Sequence, residues 1–99
     1  MILEHAILNV KAGESPAFEL AIREALPLMT ATPGFIAMEV RPCIETPDRY
    51  LLLVRWETLE AHTIGFRGSE RYQAWREKLH RFYEPFPIVE HYGGPVASA

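Results

Sequence analysis

Among the residues that could do chemistry, His62 stands first. It lies in TLEAHTIGF, about a turn into a short helix and four residues before Phe66. A neutral imidazole there could take a proton from an acidic phenol or enol, making such a substrate electron-rich enough to react with O₂ directly. The plainer reading is an imidazole at a helix–sheet seam, hydrogen-bonded to backbone. Both readings stand. His5 sits mid-strand between Leu3 and Ile7, and His91 lies between Glu90 and Tyr92 on a closing strand. For each, a satisfied interior imidazole is the simplest role, and a place in a pocket wall is the functional one. His80, between Lys78 and Arg81 near the end of the last helix, reads as solvated. The histidines show no recognised metal-ligand spacing and Cys43 is alone, so no bound metal and no intramolecular disulfide is expected.

Around His62 stand Trp56, Phe66, Tyr72, Trp75 and Phe82, which could stack a planar ligand or simply fill a core. Arg67, in the break Gly65–Ser69, is a candidate contact for an anion or carbonyl, or else a surface residue on a bend. The expected catalytic group is thus His62. The expected pocket lining is His5, Phe66, Arg67, Tyr72, Trp75 and His91, around a small hydrophobic or aromatic ligand. Glu4, Glu39, Arg41, Arg55 and Glu90 are read as one cross-strand polar network. No flavin signature, Gly-rich phosphate loop or nucleophile–base arrangement occurs, so no cofactor is expected.

The elements that must position these groups follow from hydrophobic period. Ile2–Val10 alternates as a strand. Ser15-Pro16 opens a helix to about Thr30, with Phe18, Ala21, Ile22, Ala25 and Met29 on one stripe and Pro27 as a kink or loosened last turn. Phe35–Arg41 and Tyr50–Trp56 are strands; Leu59–Phe66 is a short helix entered at Thr58. Ser69 caps a longer helix from Glu70 to about Tyr83, and Ile88–Tyr92 is the last strand. The order β-α-β-β-α-β, with its second helix split, is α+β and ferredoxin-like: a four-stranded antiparallel sheet with both helices on one face. Residues 1–92 make one domain and residues 93–99 a flexible tail.

Tyr50–Trp56 is apolar on both faces. Leu51 and Leu53 point away from Tyr50, Leu52, Val54 and Trp56, and an exposed apolar sheet face is larger than a monomer ordinarily tolerates. A homodimer packed sheet to sheet about a twofold axis is expected. Net charge is −3 and no basic run occurs, which argues against nucleic acid. No apolar run approaches a membrane span, and a cytoplasmic location is the expectation.

The ordered set Ala6, Gly13, Pro33-Gly34-Phe35, Tyr50–Trp56, Glu60-Ala61-His62, Phe66, Ser69, Tyr72, Trp75 and Val89-Glu90-His91-Tyr92 resembles the antibiotic biosynthesis monooxygenase domain family. The resemblance spans about Ile2 to Tyr92 and implies a dimeric α+β barrel. It implies an activity among cofactor-free oxygenases of polycyclic aromatics, quinol oxidases and haem-degrading enzymes. The haem-degrading branch relies on an Asn, a Trp and an axial His at places held here by Ala6, Gly65 and Trp75, which disfavours it. The leading expectation is a cofactor-independent monooxygenase or quinol-type oxidase acting on a small aromatic or polycyclic substrate. The alternatives are a non-catalytic ligand-binding or stress-associated barrel, and an effector-binding barrel of the kind attached to transcription regulators.

Overall fold

Alternating burial makes Ile2–Asn9 a strand (β1): Glu4, Ala6 and Leu8 are buried while Leu3, His5 and Ile7 are not. In the computed structural model, which describes all 99 residues, β1 is followed by α1 (Ser15–Thr30), β2 (Phe35–Pro42) and β3 (Arg49–Trp56). A π-helix (Ala61–Phe66), α2 (Glu70–Leu79), a 3₁₀ turn (His80–Phe82) and β4 (Val89–Tyr92) complete the chain. The strands form one antiparallel sheet in the order β2-β3-β1-β4. This is the expected ferredoxin-like α+β plan, with the second helix split.

The helices cover one face. α1 buries Phe18, Ala21, Ile22, Ala25 and Met29, the stripe expected from its period. These meet Ala6, Leu8, Tyr50, Leu52, Val54 and Trp56 in a single core that also takes in Phe66, Trp75, Leu79 and Phe82. α1 runs through Pro27 to Thr30, because Ala31 N–H closes back on the Pro27 carbonyl at 3.0 Å. Ser15 does not cap α1. Its hydroxyl donates instead to Asp48, which sits at φ 60° in the turn before β3 and anchors that turn to the helix. Ser69 does cap α2, accepting from Tyr72 N–H.

One helix type and one boundary differ from expectation. The short helix begins at Leu59 as expected, with Thr58 Oγ1 accepting from Ala61 N–H at 3.1 Å, but from Ala61 to Phe66 it winds as a π-helix. A wide turn of this kind is uncommon and occurs often at functional sites. α2 ends at Leu79 and tightens into the 3₁₀ turn. In β2 the register shifts between Phe35 and Ala37, so Phe35 joins Met38 and Val40 toward the helices while Ile36 is exposed.

The sheet's other face carries no layer, and the molecule is only 20 Å across its thinnest direction. By register this face holds Leu3, His5 and Ile7, with Leu51, Leu53, Ala37 and Tyr92. It also holds Arg55, Glu90 and the Glu39–Arg41 pair (2.8 Å), so it is mixed rather than uniformly apolar. Glu4 does not belong with these charges. Its register partners are Val54 and His91, and it points under the helices.

Candidate active site

Trp56, the last residue of β3, is fully buried and fixes the floor of the site. Its indole Nε1–H donates to Glu4 Oε1 at 2.9 Å, which is how an acid on an apolar strand face is satisfied. The π-helix lays His62 flat on the indole, with ring centroids 5.2 Å apart and planes 16° from parallel. His62 is 3% exposed and both ring nitrogens face partners: Nδ1 is 2.8 Å from His91 Nε2, and Nε2 is 3.4 Å from Glu4 Oε1. His91 reaches inward from β4, directly opposite Glu4 in the register.

Beyond His62 lies a cavity of about 90 Å³ walled by Glu4, Phe66, Arg67, Tyr72, Trp75 and His80 among others. Phe66 stands edge-on to Tyr72 and Trp75, at 5.5 and 5.8 Å. Glu84 N–H donates to the Asn9 carbonyl and Lys11 N–H to the Phe82 carbonyl, each at 2.8 Å. These bonds hold the segment carrying His80, Tyr83 and Phe86 over the cavity. A groove of about 400 Å³ lies elsewhere, between α1 and β2–β3; it contains the Tyr50–Glu19 hydrogen bond but no histidine. The titratable groups converge on the smaller space, which makes it the candidate site.

Burial sets the protonation states. It raises the Glu4 carboxyl to about 6, although the Trp56 hydrogen bond and the charge of Arg67 pull the other way. It lowers His62 to about 3, with Arg67 and His91 adding to the effect. His62 is therefore an uncharged imidazole near neutrality, and its 3.4 Å approach to Glu4 is not an ion pair. His91 and His80 are lowered too, chiefly by burial and then by Arg67 and Arg76 respectively.

Of the residues expected at the site, the structure brings together His62, Phe66, Arg67, Tyr72 and Trp75, with His91 bonded behind His62. His5 is not among them. It lies on the opposite sheet face, beside Leu53 and edge-on to Tyr92, because strand residues alternate and Glu4, not His5, has the inward phase. His80 is not solvated either; it is half-buried, edge-on to Phe86 at 4.8 Å. Glu4 was the residue missed. Its signal was legible as a lone carboxylate in the series Ile2, Glu4, Ala6, Leu8, where burial demands a donor. No group of three or more His, Cys, Asp or Glu side chains is arranged to hold a metal ion.

A family model for antibiotic biosynthesis monooxygenases matches residues 1–78. YczJ of Bacillus subtilis (strain 168), whose role is uncharacterised, is 51% identical over 92 residues, spanning 93% of this chain and 97% of its own. A Bordetella bronchiseptica crystal structure of the antibiotic biosynthesis monooxygenase type has 33% identity and a TM-score of 0.90, covering 96% of this chain and 97% of that one. SnoaB, a cofactor-independent oxygenase of Streptomyces nogalater, shares the fold at a TM-score of 0.84 with 11% identity, over 97% and 94% of the two chains. With the match covering most of its length, this chain belongs to the antibiotic biosynthesis monooxygenase family.

Proposed function

We propose that this protein is a cofactor-independent oxygenase of a small phenol or quinol, with His62 at the centre of its proton chemistry. The observation that carries this reading is an uncharged, buried imidazole stacked on Trp56 and opening onto an aromatic-walled cavity. Removing a proton from a phenol or quinol raises the ring's electron density, and the anion can then give an electron to O₂. The radical pair combines to a peroxide. Loss of water leaves a carbonyl, so one oxygen atom enters the product and the other leaves in water. Arg67 at the cavity wall would face the substrate anion. Desolvation and positioning by the aromatic walls do the remainder.

A cavity of about 90 Å³ is small beside the ~300–1,000 Å³ of ordinary ligand pockets, which favours a single ring over a polycycle. We also assign the uncovered sheet face to a second copy of the chain, packed through Leu3, Ile7, Leu51 and Leu53. The test is oxygen uptake over a panel of phenols and quinols. His62→Ala should lower turnover by about 10²–10⁴-fold, the usual weight of a positioned general base. Wild-type turnover in that variant would remove His62 from the chemistry. Binding by thermal shift, with no member of the panel oxidised, would instead establish a non-catalytic ligand-binding barrel.

A further inference from the structure

We infer that Glu4, His62 and His91 form one proton-carrying unit, in which His91 is the port, His62 the bridge and Glu4 the buried store. This rests on the proposed role of the site in proton removal and deepens it, because it gives a proton at His62 a route to solvent through His91, which does not line the cavity, and a buried acceptor in Glu4. The geometry places His62 between the other two: its Nδ1 is bonded to His91 Nε2 at 2.8 Å and its Nε2 lies 3.4 Å from Glu4 Oε1, at the cavity wall. His91 is half-buried on an edge strand. Its Nε2 is taken by His62, while its Nδ1 has no partner within the chain and is not a buried orphan, so it is open to solvent.

The hydrogens can be assigned. An ionised carboxylate only accepts, so with Glu4 charged His62 presents Nε2–H to it, leaving Nδ1 to accept from His91 Nε2–H. A proton arriving at His91 Nδ1 then releases the one on His91 Nε2 to His62 Nδ1. His62 in turn releases its Nε2 proton to Glu4 Oε1. Each ring gains one N–H and loses one, neither ends as a cation, and the single charge neutralised is the carboxylate. The reverse sequence returns the proton to product or water. The 3.4 Å leg between His62 and Glu4 is the long one, as such contacts often are before substrate binds.

The shifted acidities agree with this division: His62 is held neutral, and Glu4, raised to about 6, can fill and empty near neutrality. The other groups facing the unit are Arg67 from the bend after the π-helix, Tyr72 from α2, and His80 and Tyr83 from the segment that follows it. Arg67 is the charge that bears on all three members, stabilising the ionised Glu4 and discouraging imidazolium at His62 and His91.

Long-range ¹H–¹⁵N spectra of the histidine rings, recorded on the full chain between pH 8 and pH 4.5, test the assignment without any substrate. Expected is one step near pH 6 in which His62 exchanges Nε2–H for Nδ1–H and His91 does the same, with neither becoming imidazolium. In Glu4→Gln that step should vanish, and in Glu4→Asp it should return. A His62 that keeps Nε2–H while His91 alone becomes cationic would overturn the unit, as would an unchanged step in Glu4→Gln. Should Glu4→Gln not fold, the wild-type spectra decide alone. Because no turnover is read, a failed oxygen-uptake screen and a failed relay are separate results.

Discussion

Glu4 and His62 pull the pH dependence of stability in opposite directions. Glu4 has its acidity weakened in the fold, from 4.5 to about 6, so the folded state holds that proton more tightly than the unfolded chain. Its favourable contribution is complete below about pH 4.5 and is lost as pH rises through 6, by about 2 kcal/mol. His62 is depressed from 6.5 to about 3, so its contribution is present above pH 6.5 and is lost as pH falls toward 3. Urea denaturation at pH 4 and pH 7.5 separates them. Glu4→Gln should gain up to about 2 kcal/mol relative to wild type at pH 7.5 compared with its difference at pH 4. An equal difference at both values would show that Glu4 ionises as freely folded as unfolded. At this scale the sequence disclosed His62, Phe66, Arg67, Tyr72 and Trp75, but not that His5 and Glu4 exchange roles. Alternation told that they differ in face; which face lies under the helices depends on long-range packing with α1 and β3.

At the scale of elements, the π-helix owes its position to a close approach. Gly34 adopts φ +86°, and a Cβ built there would stand 2.6 Å from the Ala61 Cβ, at the first residue of the turn that carries His62. Gly13 is also left-handed, at φ +80°, but a Cβ there meets nothing within 4 Å. Gly13→Ala should therefore cost only the backbone strain of about 1–2 kcal/mol, whereas Gly34→Ala should cost more and should also disturb the His62 ring signals. Equal losses, measured by urea denaturation, would show that the contact with Ala61 does not constrain the turn. Helix stripe, the caps at Thr58 and Ser69, and the order of elements along the chain were legible because each rests on local period or turn chemistry. The π-turn was not. Its extra residue per turn follows from packing Ala61 against Gly34 and His62 against Trp56, both distant in sequence.

The whole molecule is two layers deep, and its bare face is expected to meet another copy. Leu53 is central there, beside His5 on one neighbouring strand and Glu39 on the other. Leu53→Glu would set a carboxylate next to Glu39 across the strands and should convert a dimer to a monomer in sedimentation equilibrium at micromolar concentration. A wild-type protein already monomeric under those conditions would remove the sheet-to-sheet assembly. The apolar doubling of Tyr50–Trp56 and the shared phase of Glu39, Arg41, Arg55 and Glu90 were what the sequence offered; that Glu39 pairs with Arg41 along its own strand, and that Glu4 leaves the set, depends on packing that period alone does not specify. One consequence belongs to β4. It is four residues long and bonded to a single neighbour, so its opening is among the least costly events in the sheet. The outermost imidazole therefore rides on the part of the molecule most ready to let go. Detaching it would isolate the inner pair behind the rim, a disconnection achieved while three strands and both long helices stay in place.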